Sequence, residues 1–226
     1  VTASLEQIVG YTGPLLLDFD GPICHVFAGY PATSVADRAR EVAIRYGESL
    51  PLDIAETGDP LAVLHWSATL DRPDVVLSME QEISGAELRA IETAEETPGA
   101  RALIRAAAKS SRPVAVVSNN SAGAIREFLR ARSLADYVSS IAGRPAGHPG
   151  LMKPHPHLLT RTIGDLGSEP GECVFIGDSM TDIEAARAAG VRVIAYANRP
   201  SKVELFRAAA PDALVTSMGN IADAIR

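Results

Sequence analysis

The stretch LLLDFDGPICHVF, residues 15–27, starts as a run of leucines, ends that run on two aspartates one residue apart, and turns at Gly21-Pro22. A short apolar run bounded by turn residues reads as a buried strand. If the extended geometry continues beyond the leucines, Asp18 and Asp20 project to one side of the chain and Phe19 to the other. Two carboxylates held that close favour a shared proton or a bound cation. Taken alone, the segment reads equally as a strand end with two solvated acids, so the choice falls to the strands downstream.

Those strands repeat the form. PVAVVSNN near residue 113 and ECVFIGDS near residue 172 are short apolar, β-branched runs that end in polar residues, and VRVIAYA (191–197) and ALVTS (213–217) supply two more. Between them GARALIRAAAKS, SAGAIREFLRARS, HPHLLTRTIGDLG, MTDIEAARAAG and SKVELFRAAA carry apolar residues at helical spacing. From about residue 99 onward strand and helix alternate, the rhythm of an α/β fold whose parallel sheet is covered on both faces. Residues 28–96 break that rhythm. SVADRAREVAIRYG, DPLAVLHWSATL and SMEQEISGAELRAIETAEE read as helices, with LDRPDVVLS as a brief extended piece. The expected organisation is therefore an α/β core of residues 1–27 and 97–226, with a small helical domain of residues 28–96 inserted after the first strand. Its return is marked by the turn-forming Thr97-Pro98-Gly99.

Composition narrows the function classes. The chain has 226 residues, enough to bury roughly 70% of the surface its unfolded form exposes. Its formal charge is -7, and its only lysines are Lys109, Lys153 and Lys202. Without a basic stripe to gather phosphates, nucleic-acid binding has no support. An anionic substrate would need local positive charge, for which a metal is one source. Cys24 and Cys173 lie far apart and outside any paired metal or redox spacing. No apolar run reaches membrane-spanning length, and VTASLEQIVGYTG lacks the basic start and hydrophobic block of a secretion signal, so a cytoplasmic protein is expected. Nothing in the sequence specifies an oligomeric state.

In an open parallel sheet, ligands bind beyond the carboxyl ends of the strands, where all these polar termini fall. At the second terminus Ser118, Asn119 and Asn120 offer a hydroxyl and backbone amides to phosphate oxygens, though Asn120 or Ser121 serves equally as a helix cap. At the third, Asp178 joins Asp18 and Asp20 as an oxygen donor suited to Mg²⁺. Asp182, four residues later, falls in the first turn of the next helix, where a carboxylate caps the helix or offsets its dipole. Lys153, followed by Pro154, is the one lysine between Lys109 and Lys202, and could neutralise both a phosphate and the acids. In the inserted helices Tyr30, Arg45, His65 and Trp66 are candidate substrate contacts, each with a packing or solvation explanation beside it. His155 and His157 lack a third ligand for zinc.

Taken together, DFDGP at 18–22, VVSNN at 116–120, Lys153-Pro154 and GDSMTD at 177–182 resemble the four motifs of the haloacid dehalogenase-like superfamily. The resemblance extends from Leu15 to about Ala197. It implies a Rossmann-like core with a small α-helical cap, of the C1 type, inserted after the first motif. It further implies Asp18 as nucleophile and Asp20 as general acid and base. Ser118 and Asn119 would bind phosphate, and Lys153 would steady nucleophile and phosphate. Mg²⁺ would be held by Asp18, Asp178 and the Asp20 backbone carbonyl, with Gly21 and Asp182 in support. The implied activity is Mg²⁺-dependent hydrolysis of a small phosphorylated metabolite through a phosphoaspartate, with Asp20 protonating the departing alcohol and then activating water. The second aspartate argues against a dehalogenase, and the absence of any lysine from Gly21 to Ala108 argues against the Schiff-base hydrolases of the superfamily. A sugar phosphomutase uses the same residues and remains an alternative, as does a magnesium-binding regulator without turnover. Pro22, where such phosphatases often carry threonine, departs from the pattern and puts loop geometry and cap movement in question.

Overall fold

The structure, a computed structural model, describes residues 4–10 and 13–225. Residues 1–3, 11 and 12, part of the segment read above for a secretion signal, lie outside the described residues.

Along the chain, α1 (Leu5–Val9) precedes β1 (Leu15–Leu17). A two-residue strand, β2 (Cys24–His25), leads into the helices α2 (Ala32–Arg45), α3 (Leu52–Glu56), α4 (Pro60–Ser67) and α5 (Pro73–Ala90), and β3 (Glu95–Glu96) brings the chain back. Then follow α6 (Ala100–Lys109), β4 (Val114–Val117), α7 (Ala122–Ala131), β5 (Ser140–Ala142), α8 (His157–Asp165) and β6 (Val174–Gly177). The chain finishes with α9 (Met180–Ala188), β7 (Arg192–Tyr196), α10 (Pro200–Ala209), β8 (Ala213–Val215) and α11 (Met218–Ala224).

Six of these strands form one parallel sheet in the order β5-β4-β1-β6-β7-β8. Leu15 of β1 lies between Val114 of β4 and Val174 of β6, so the three strands end at one level. The chain moves outward from β1 to β4 and β5, then crosses back to β6, and this reversal at β1 opens a crevice above the carboxyl ends of β1, β4 and β6. Strand pleating sends alternate side chains to opposite faces. Leu15, Leu17, Val114, Val116, Val174 and Ile176 pack with residues of α6, α7 and α11. Leu16, Ala115, Val117 and Phe175 pack with α8, α9 and α10 on the other face.

Helices α2 to α5 build a third hydrophobic cluster from Val35, Ala39, Val42, Val63, Leu64, Met79 and Ile83, which also takes in Met152 from the core. In α2 the buried residues Val35, Ala36, Ala39, Val42 and Ala43 recur at three- and four-residue steps, one face of an amphipathic helix. Antiparallel pairing of Cys24 with Glu96 and His25 with Glu95 puts both crossings into this layer side by side.

Several elements depart from the sequence reading. LDRPDVVLS, expected to include an extended piece, enters α5: Pro73 occupies the first helical turn, where its missing N–H costs nothing, and Val75 and Val76 face the core. Among the strands, β5 is short and drawn from Ser, Ile and Ala; its pairing with β4 makes it a strand. The five-residue α1 and α3 are too short to show a period, and α1 forms on a reciprocal capping box between Ser4 and Gln7.

Candidate active site

The leucines of β1 bury themselves in the sheet and carry the next residue to its edge. The Asp18 amide still donates to the Ile176 carbonyl at 2.9 Å, extending the ladder by one bond, and the chain then turns away. The turn is closed by three backbone bonds: Gly21 N–H to Cys24 C=O (2.7 Å), and the N–H groups of Ile23 and Cys24 to Phe19 C=O (3.1 Å each). None of them uses the Pro22 nitrogen, which is why proline fits there. Gly21 has φ of 102°, and a Cβ at that position would overlap the Asp178 carboxylate, so glycine is required twice over. The Thr97 hydroxyl donates to the Gly21 carbonyl at 2.6 Å, fastening the return from the helical layer onto this turn.

Lys153 lies at the centre of the site. Its ammonium donates to Asp18 Oδ1 (2.9 Å), Asp182 Oδ1 (2.6 Å) and the Val117 carbonyl (3.2 Å), so all three N–H bonds are satisfied although the side chain is buried. Burial pulls the Lys153 pKa down, but the carboxylates of Asp18 and Asp182 outweigh it and keep the ammonium charged. Asn119 positions this lysine: its amide nitrogen donates to the Lys153 carbonyl (3.0 Å) and its oxygen accepts the Lys153 amide (2.8 Å). Both ends of the Asn119 side chain are thereby engaged.

Asp18 and Asp20 sit in contrasting surroundings. Burial pushes the Asp18 carboxyl up to about 7, reinforced by Asp182 and opposed by Lys153. Asp20 rises to about 6, again through burial, against the Val26 N–H that donates to its Oδ1 at 3.0 Å. Ser118 is buried, its hydroxyl donating to Asn120 Oδ1 at 3.1 Å and accepting the Asn120 amide at 3.2 Å.

One oxygen each from Asp18, Asp178 and Asp182 lie within 4.8 Å of one another, an all-oxygen donor set suited to a hard cation. The three are not equivalent. Asp182 Oδ2 accepts from the amides of Asp178 and Ser179 (3.0 Å each) and the Ser179 hydroxyl (2.7 Å), while its Oδ1 takes Lys153. Such a saturated carboxylate is a scaffold for the loop. Asp178 Oδ2 takes Asn198 (2.8 Å) and Lys202 (2.6 Å), but no hydrogen bond among the described residues falls on Asp178 Oδ1 or Asp18 Oδ2. The donor set thus fits a metal held by Asp18 and Asp178, with Asp182 behind them.

A cavity of about 920 Å³ opens above these groups. Asp18, Asp20, Ser118, Asn119, Lys153, Asp178 and Asp182 line its floor, and His65 and Trp66 of α4 line the opposite wall. Tyr30 and Arg45, also read from sequence as substrate contacts, are not in the lining. The Tyr30 hydroxyl accepts from Arg38 (2.9 Å) and Arg89 (3.4 Å), and Arg45 is exposed in the last turn of α2.

The sequence reading missed Thr97, Asn198, Lys202, and the buried pair Glu87 and Arg144. Lys202 could have been suspected in so lysine-poor a chain. Glu87 could also, since it falls in the stripe Met79, Ile83, Ala86, Ala90 that α5 buries. Arg144 carried no local signal.

A parallel sheet reversing at β1, with acids at the ends of β1 and β6 and a buried lysine between them, defines an α/β enzyme-type site with oxygen donors for a cation. The family model described as haloacid dehalogenase-like hydrolase matches residues 15–190, and the chain belongs to that family. It is 26% identical over 163 residues to phosphoglycolate phosphatase from Yersinia pseudotuberculosis, covering 72% of this chain and 69% of that one. It is 33% identical over 109 residues to phosphoglycolate phosphatase from Pectobacterium atrosepticum, covering 48% and 46%. A haloacid dehalogenase-like hydrolase from Bacteroides fragilis shares the fold with a TM-score of 0.69 at 23% identity, over 93% of this chain and 99% of that one.

Proposed function

We propose that the protein is a phosphatase that hydrolyses a small phosphate monoester through a phosphoaspartate at Asp18, with Mg²⁺ as cofactor. The observation that carries this reading is the Asp18 carboxylate itself: Asp18 lines the cavity, its Oδ1 is held by Lys153 and the Phe19 amide, and no hydrogen bond among the described residues falls on its Oδ2. One oxygen is fixed by these donors and the other is open.

In the first step an Asp18 oxygen bonds to phosphorus as the bond from phosphorus to the leaving oxygen breaks, and Asp20 gives that oxygen its proton. In the second, water attacks the same phosphorus, Asp20 takes the proton, the aspartyl-phosphate bond breaks, and inorganic phosphate leaves. A carboxyl pushed up to about 6 is matched to both halves of this exchange near neutral pH. Lys153 balances charge on Asp18 and on the incoming phosphate. The Ser118 hydroxyl, once turned from Asn120, binds a phosphate oxygen. Asp18, Asp178 and the Asp20 carbonyl would hold Mg²⁺, which when bound offsets the repulsion between carboxylate and phosphate. The helices of residues 28–96 act as the cap that closes the cavity and excludes water.

The relatives named phosphoglycolate phosphatase support the phosphatase reading. It is tested by Mg²⁺-dependent release of inorganic phosphate from a panel of monoesters, with Asp18→Asn as control. Equal turnover by Asp18→Asn, or transfer of phosphate within a sugar without release, would overturn it.

A further inference from the structure

Only part of the cavity is accounted for by phosphate chemistry. At about 920 Å³ it sits near the upper end of small-ligand sites, roughly 300–1,000 Å³. Whatever the phosphate is attached to must fit against the wall built by the helical layer.

That wall is negative. Its charged lining residues are Asp53 and Asp59. Residues 28–96 contain no lysine and five arginines, and none of those arginines lines the cavity. Arg38 is held by Glu82 and Tyr30, Arg72 by Glu48 and Asp74, and Arg89 by Tyr30. Arg45 is exposed at the end of α2. Arg40 works from behind the wall: its guanidinium donates to the carbonyls of Ile54 (3.2 Å) and Thr57 (2.5 Å), pinning the segment that carries Asp53 and Asp59. The sign of the wall is thus set by Asp53 and Asp59, carried on a segment whose backbone Arg40 holds.

The chemistry of the same wall is that of hydrogen-bond acceptance beside flat apolar surface. No hydrogen bond among the described residues falls on the Asp53 side chain, and Asp59 uses Oδ1 to cap Leu61 at 2.8 Å, leaving Oδ2. Ionised carboxylates are acceptors only. The same lining includes Trp66 and Phe27, whose apolar faces suit the C–H face of a ring or chain, and His65, which offers a donor and an acceptor.

Resting on the phosphatase reading above, we infer that the leaving group of the substrate is an uncharged, hydroxyl-bearing chain or ring, a polyol or sugar, and not a second anion. Its hydroxyls donate to Asp53 and Asp59 while its carbon face lies against Trp66. A carboxylate such as that of phosphoglycolate would face like charge from Asp53 and Asp59, both exposed, a moderate repulsion that salt screens. The guanidinium in the lining, Arg199, comes from the sheet side immediately before α10, so it offers an anion no place on the helical wall.

The test compares kcat/KM of the full chain with Mg²⁺ for glucose 6-phosphate, sorbitol 6-phosphate, phosphoglycolate, phosphoethanolamine and p-nitrophenyl phosphate. A sugar or polyol ester is expected to exceed phosphoglycolate by about tenfold or more, and Asp53→Lys to shift that ratio toward phosphoglycolate by about tenfold. Preference for phosphoglycolate or phosphoethanolamine, or a ratio untouched by Asp53→Lys in a folded variant, overturns the inference alone. No phosphate release from any ester, p-nitrophenyl phosphate included, brings down the phosphatase reading and this inference with it.

Discussion

Glu87 and Arg144 meet at 3.1 Å with both side chains out of solvent, and the pair joins α5 of the helical layer to the loop after β5. Glu87 also accepts from the Asn120 side chain (3.1 Å) and the Ser121 amide (2.9 Å), while Arg144 donates to the Asn119 carbonyl (2.8 Å) and the Ser84 hydroxyl (2.7 Å). One carboxylate therefore fixes the backbone that follows Ser118. Breaking a buried pair from one side costs about 3–5 kcal/mol when the other charge is left without compensation, and Glu80, 3.5 Å from Arg144, offsets part of that cost here. Glu87→Gln is expected to lose stability up to that scale in urea unfolding. The double variant Glu87→Gln/Arg144→Met should lose less than the sum of the two single changes, and strict additivity would argue against direct coupling.

The Asp20 side chain can be separated from Asp18 by leaving-group chemistry. If Asp20 protonates the departing oxygen, Asp20→Asn should slow an alkyl phosphate by about 10² to 10⁴. The first step with p-nitrophenyl phosphate should suffer much less, because p-nitrophenolate leaves without a proton. Burst kinetics with the two esters would show the contrast, and an equal loss of burst rate with both would remove Asp20 from the acid role.

Gly21→Ala tests the closeness of the first and third strand ends. A methyl group there meets the Asp178 carboxylate, and φ of 102° strains any side-chain-bearing residue. Displacement of reacting groups by about 1 Å can cost on the order of 10²-fold in rate. We expect that loss together with weaker Mg²⁺ binding by calorimetry. Unchanged Mg²⁺ affinity would show that Asp178 can move without consequence.

Metal and pH should act on stability together. Asp18 at about 7 and Asp20 at about 6 both lie above the ordinary 3.8, so between these values the folded chain holds protons the unfolded chain has released. Their contribution is present at low pH and is lost as pH rises through about 6 to 7. In EDTA the melting temperature should therefore fall by several degrees between pH 5 and pH 8. Mg²⁺ should restore more at pH 8 than at pH 5, because a metal ligand must be deprotonated. A metal-free melting temperature that climbs over this range would contradict the assignment of burial as the cause.

LLLDFDGP determined more of this protein than any other stretch. A buried strand ending in two acids, repeated in form at VAVVSNN and VFIGDS, is local information: periodicity and residue type are enough to give the α/β core, the helical insertion and the placement of Asp18, Asp20, Ser118, Lys153 and Asp178. Residues whose roles depend on distant partners were a different matter. Asp182 read as a helix-start carboxylate or as an acid supporting the metal shell or Lys153, and only the structure showed four donors on its carboxylate. Asn119 read as phosphate-binding, and only the structure showed its side chain spanning the Lys153 backbone as well. Glu87 with Arg144, Thr97 on Gly21, and the acids of the cavity wall facing the floor all arise where segments distant in sequence, 57 and 76 residues apart for the two pairs, are packed together. A sequence pattern reports the period of its own backbone; the sign and partners of a charge across the cleft are set only when the helical layer settles on the sheet.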